Sequence, residues 1–79
     1  MMQAFVLMNI RGDAKKIVAQ VRNTPGVVEA YLITGLHDII AKIEAEDLYK
    51  LRDIITDKLL KIDGIQKTIT MIVVDGQQE

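Results

Sequence analysis

The feature that most narrows the fold is a pair of alternating apolar runs on either side of one short turn. From Val27 to Thr34, the residues Val28, Ala30, Leu32 and Thr34 fall on one face and Val27, Glu29, Tyr31 and Ile33 on the other. From Asp38 to Ala45, Ile39, Ala41, Ile43 and Ala45 share a face, with Ile40, Lys42 and Glu44 opposite. A sustained period of two is the mark of a strand, because successive side chains point to opposite faces. The connection Gly35-Leu36-His37 is short enough to make the two strands an antiparallel hairpin, and Gly35 admits the positive φ that such turns need.

The rest of the chain brackets this hairpin symmetrically. Met2 to Ile10 is nearly continuous apolar sequence, too short for a buried helix, and reads as a strand buried on both faces. Arg11-Gly12-Asp13 ends it, with Asp13 placed to cap a helix. In Ala14 to Asn23, Ala14, Ile17, Val18 and Val21 make one helical stripe, and Thr24-Pro25-Gly26 stops it. Asp47 is placed to cap a second helix, whose stripe is Leu48, Leu51, Ile55, Leu59 and Ile62. Ile54 and Leu60 lie off that stripe and offer a second, weaker interface. Asp63-Gly64 ends the helix, Ile65 to Val74 is the last strand, and Asp75 to Glu79 is a polar tail. The order β-α-β-β-α-β, with both crossovers right-handed, gives an α+β, ferredoxin-like fold. Its four-stranded antiparallel sheet has the order 4-1-3-2, with both helices on one face. The whole of 1–79 is one domain.

Such a sheet is covered on one side only, yet its second side is apolar too. The first strand is apolar throughout, and Tyr31, Ile33 and Ile40 add to it. A chain of 79 residues buries only about 60% of its unfolded surface and needs a further source of stability. With no cysteine and one histidine, disulfides and a Cys/His zinc site are excluded. Oligomerisation remains, and the expectation is a homodimer with the two sheets packed face to face. Ten basic residues against eleven acidic ones argue against non-specific binding to nucleic acid or an anionic membrane. Ala4 to Met8 is too short to span a bilayer and lacks the basic flank of a signal peptide, so a cytoplasmic location is expected.

The turn carries little catalytic material. His37 and Asp38 adjoin, but the chain has no serine or cysteine, and its threonines lack an obvious activating base. An enzyme is not expected, nor a cofactor or a metal. His37 reads as a solvated turn residue. Gly35 and Asp38 have plain structural uses: positive φ, and a carboxylate that bonds a backbone N–H. They also have a functional reading. Glycine lets a ligand reach the backbone, turn N–H groups can take a carboxylate, and an aspartate can hold an ammonium group. That combination suits an α-amino acid.

Three stretches together resemble a known family: Thr24-Pro25-Gly26-Val27-Val28-Glu29-Ala30, then Thr34-Gly35-Leu36-His37-Asp38, then Asp63-Gly64-Ile65 leading into Thr68-Ile69-Thr70. They are similar to the C-terminal effector (RAM) domain of the Lrp/AsnC transcription regulators, over essentially the whole chain. The resemblance implies sheet-to-sheet dimers assembled into rings such as octamers or decamers, with an amino acid or similar small effector bound between dimers. It implies a ligand-binding role for Thr34, Gly35, Leu36, His37 and Asp38, with Met71, Ile72 and Val73 as a weaker match. His37, at a variable position of the motif, would be a selectivity residue. Family regulators carry an N-terminal helix-turn-helix domain, whereas this sequence begins at the first strand. The expectation is therefore a stand-alone module that modulates transcription or amino-acid metabolism without binding DNA itself. Two alternatives stand beside it: a ligand-free co-assembly partner of a full-length Lrp/AsnC-type regulator, and a small dimeric α+β barrel enzyme.

Overall fold

The computed structural model describes residues 1–75. The end of the polar tail, 76–79, lies outside the described residues. Four strands form one antiparallel sheet: β1 (Met2–Ile10), β2 (Val27–Leu32), β3 (Ile39–Ala45) and β4 (Ile65–Ile72). Their order is β2-β3-β1-β4, the expected order read from the other edge. Helix α1 (Ala14–Arg22) follows β1, and the helical segment α2 (48–61) follows β3. The fold is the expected ferredoxin-like βαββαβ.

Sequence chemistry fixes the element ends. Asp13 caps α1 by accepting from the Lys16 N–H at 3.2 Å, and Asp47 caps α2 by accepting from the Lys50 N–H at 2.8 Å. Arg22 at the end of α1 donates from Nε to the Ala30 carbonyl at 2.9 Å, which ties the helix to β2. At the junction before β4, Gly64 has φ +99°, and its carbonyl accepts from the Arg11 N–H at 2.8 Å. A Cβ there would sit 2.6 Å from the Arg11 carbonyl oxygen, so only glycine fits.

The core lies between the sheet and the helices. Ala4, Val6 and Met8 of β1, Ala30 of β2, and Ile39, Ala41, Ile43 and Ala45 of β3 are buried against Ile17, Val18 and Val21 of α1 and Leu51, Ile54, Ile55 and Leu59 of α2. The alternation read for β3 holds at every position.

Helix α2 departs from the expected regular helix. It is α-helical over Leu48–Asp53, makes a π-helical turn over Ile54–Lys58, and closes as a 3-10 turn over Leu59–Lys61. In a regular α-helix, residues four apart drift by about 40° around the axis. Leu51, Ile55 and Leu59 have that spacing. The wider turn, marked by the Leu59 N–H bonding the Ile54 carbonyl five residues back, takes up the drift and keeps all three buried.

Two expectations are corrected here. Ile54 is in the core, not at a second interface; its side chain occupies the space where Gly26 would carry a Cβ. Leu48 is 51% exposed, because α2 leaves a groove of about 240 Å³ open between itself and β4. Leu60 stays partly exposed.

The other face of the sheet is open in the single chain. The register places Phe5 between Lys42 and Met71, and Leu7 between Ile40 and Ile69, with Tyr31 beside Ile40. Within one chain β1 is thus buried on one face, and the expected burial of its second face would fall to a sheet-to-sheet contact.

Candidate functional site

The turn between β2 and β3 is held down on the end of β1. The Ile33 N–H donates to the Asp38 carbonyl at 2.9 Å and closes the hairpin. The Asp38 N–H donates to the Met8 carbonyl at 2.9 Å, at the end of the β1–β3 ladder, where Met8 is also the partner of Ile39. The Asp38 carboxylate accepts from the Ile10 N–H at 2.9 Å through Oδ2. The register shift between Asn9 and Ile10 on the β4 side accompanies this bond. Asn9, also on β1, donates from its amide to the Leu36 carbonyl at 2.9 Å.

Each of the five expected turn residues therefore has a defined place. Gly35 has φ +105°, as a hairpin glycine should, and the direction a Cβ would take is empty to 4 Å. Leu36 is 91% exposed at the tip. Thr34 is exposed, while His37 and Asp38 are half-buried, so His37 is less solvated than the plain turn reading held. The Asp38 carboxylate performs the backbone-bonding role, and it does so across to another strand rather than within the turn. Among the described residues, the N–H groups of Gly35, Leu36 and His37 have no protein acceptor.

Met71, Ile72 and Val73 are elsewhere. Met71 lies opposite Phe5, Ile72 opposite Ala4, and the Val73 N–H donates to the Gln3 carbonyl. That is the far end of β1 from the turn, which grips Met8 to Ile10. Four residues of strand, or about 13 Å, separate Phe5 from Asn9 at the usual rise. One chain does not bring the two groups together; a site built from both needs two subunits.

A separate open groove of about 510 Å³ lies at that far end, between the Pro25-Gly26 turn and α2. Its charges are mixed, Lys50 and Lys58 with Glu46 and Asp53, and Lys50 pairs with Glu46 at 3.2 Å. Among the described residues no three His, Cys, Asp or Glu side chains converge as a metal site, and no helix is long and apolar enough to cross a membrane.

Tyr31 stands on the open sheet face beside Ile40. Tyr31 donates to Glu29 Oε1 at 2.6 Å. That bond, and then the carboxylate's charge, raise the phenol above its ordinary value of 10.0.

Asn9 is the contact that strand patterning alone does not reveal. Its sequence signal is a single amide interrupting the apolar run from Ala4 to Ile10. Its partner, the Leu36 carbonyl 27 positions away, depends on the register of β1 against β3.

Comparison with known proteins places this geometry. Residues 3–76 match the family model of the Lrp/AsnC ligand binding domain. A helix-turn-helix-type transcriptional regulator of Pyrococcus abyssi is 31% identical over 80 residues, covering 96% of this chain and 53% of the relative. The chain thus spans about half the length of the curated relatives it matches. The crystal structure of TTHA0845 from Thermus thermophilus superposes with a TM-score of 0.92 at 29% identity, covering all of both chains. The transcriptional regulator NMB0573 of Neisseria meningitidis, solved as a complex with L-Met, has a TM-score of 0.87 at 27% identity, covering 99% of this chain and 53% of that one.

Proposed function

Because this chain belongs to the Lrp/AsnC ligand-binding-domain family, whose matched relatives are regulators rather than enzymes, we propose that it is an effector-binding, oligomerising regulatory module. Two copies pack through their open sheet faces. A small effector, an α-amino acid, then binds at a seam where the turn of one copy meets another subunit. The observation that carries this reading is the turn itself. It is rigidly pinned from beneath by Asp38 and Asn9, yet its upper side offers backbone N–H groups with no acceptor among the described residues. A pinned donor set binds at a lower entropic cost than a mobile one.

Within that reading the roles divide by chemistry. The turn N–H groups receive the carboxylate, and Gly35 leaves room for its approach. Asp38 has one oxygen on Ile10, and its second oxygen is left to face an ammonium group. His37 and Leu36 contact the effector side chain. Met71, Ile72 and Val73 contribute from a different subunit. The relative solved with L-Met supports an amino acid as the class of effector. Rings of dimers and a cytoplasmic location belong to the same proposal; co-assembly with a full-length regulator, which would take the place of the second copy on the sheet face, is the second reading.

The test is to measure mass by light scattering and the melting transition in the presence of glycine and of each of the other common amino acids in its L form. A dimer or larger assembly is expected. At least one amino acid should stabilise it, by about 2.7 kcal/mol at a hundredfold excess over Kd. A stable monomer at micromolar concentration removes the sheet-packing part. A melt that no amino acid shifts removes the effector part and favours the ligand-free co-assembly reading.

A further inference from the structure

We propose that Asn9 is a positioning residue of the effector turn: it fixes the Leu36–His37 peptide so that the His37 N–H faces outward as the donor for the effector's carboxylate. This inference rests on the effector reading above and names the donor within it.

The argument is one of peptide geometry. The Asn9 amide holds the Leu36 carbonyl oxygen at 2.9 Å. That bond directs the carbonyl toward β1, beneath the turn. The chain has no cis peptide among the described residues, and in a trans peptide the C=O and the following N–H point in opposite directions. Anchoring the Leu36 carbonyl inward therefore turns the His37 N–H outward, where it has no acceptor among the described residues. Gly35 beside it has no atom within 4 Å of its Cβ direction, so the approach is clear.

The neighbouring bond completes the grip. Asn9 holds Leu36 through its side chain, and Ile10 holds Asp38 through its backbone N–H. Two consecutive residues of β1 thus fix both ends of the segment Leu36-His37-Asp38. Without Asn9 the Leu36–His37 plane loses its anchor, and the N–H must be reoriented on binding. Such a donor gives up much of its worth to a carboxylate, whose charge-assisted bond depends on direction.

Asn9 also lies on the open face of the sheet, opposite Lys67 and two residues along from Leu7. The face assigned to subunit packing and the turn assigned to the effector therefore share this one side chain.

The experiment titrates glycine and each of the other common amino acids in its L form, and the corresponding carboxamides, into 15N-labelled wild-type chain, Asn9→Ala and Asn9→Leu. Asn9→Ala removes the amide and adds no charge; Asn9→Leu keeps the size and removes the polarity. The wild type is expected to bind at least one free acid about tenfold more tightly than its carboxamide, with the His37 amide proton moving downfield. Both variants should lose that preference while keeping the wild-type mass, a split that a merely structural residue would not produce. Variants that retain the tenfold preference and the His37 shift overturn the role of Asn9 and leave the effector reading standing. A wild type that binds no free acid overturns both. Should Asn9→Leu not fold, Asn9→Ala alone decides.

Discussion

The two faces of the sheet differ in the size of what they carry, in a direction opposite to simple expectation. The covered face is built with many alanines: Ala4, Ala30, Ala41 and Ala45 lie under the helices beside Val6, Met8, Ile39 and Ile43. The open face holds the chain's one phenylalanine, Phe5, with Leu7, Tyr31, Ile40, Ile69 and Met71. Small residues let two helices of modest length settle close to the strands, so few large side chains suffice to fill the space between. The bulk that would otherwise build a core is turned outward. Single soluble proteins rarely leave a contiguous apolar face of this kind open to water. The difference teaches that the larger apolar side chains lie on the face that the proposed sheet-to-sheet contact would cover.

The contrast can be broken most forcefully from the covered side. Ile43 is fully buried, and Ile43→Ala should cost about 2–5 kcal/mol, seen as a lower urea midpoint with an unchanged slope. The open side should answer differently. Phe5→Lys places a charge in the middle of the proposed sheet-to-sheet contact. It is expected to reduce the light-scattering mass to that of one chain while the far-ultraviolet circular dichroism stays native. If the mass is unchanged, the two faces do not divide the work in this way.

The smallest effect sharpens the polar border of the open face. The Tyr31 phenol is held protonated by its bond to Glu29 and by that carboxylate's charge, since ionisation would lose the bond and set two anions together. Glu29→Gln removes the charge, so Tyr31 should titrate at lower pH in an ultraviolet absorbance titration. Stability should change by no more than about 0.5 kcal/mol, as for an ordinary surface substitution.

Which parts of this molecule are legible in the sequence follows from which are local. Strand β3 can be read residue by residue, because alternation is a property of consecutive positions. The caps Asp13 and Asp47 are legible for the same reason. Helix α2 defeats the helical wheel at Leu48, where a groove against β4 stays open, and at Ile54, because the wheel assumes a constant angle per residue. The π turn at Ile54–Lys58 breaks that assumption and in doing so keeps Leu51, Ile55 and Leu59 aligned. Strand β2 ends at Leu32, short of the expected Thr34, where the chain turns so that the Ile33 N–H can reach Asp38. Within the turn, the positive φ of Gly35 is legible from glycine chemistry. The bonds from Asn9 to Leu36 and from Ile10 to Asp38 are not, since each joins β1 to a turn whose place follows from a register that no local pattern states.

Strand β1 stands second from the sheet's edge, and both of its partners come later in the chain, Ile43 opposite Ala4 on one side and Ile72 opposite it on the other. During synthesis the first strand therefore emerges with nothing to pair with. The hairpin of β2 and β3 can form early, but the sheet closes only when the last strand has left the ribosome. Contacts that span nearly the whole chain carry a high contact order, and they set a slower folding clock than a helical bundle of this length would keep. Until that clock runs out, the apolar residues of β1 stand unsheltered on both sides, and the interval is when the growing chain is most exposed to chaperones, to aggregation and to premature meetings with its own kind.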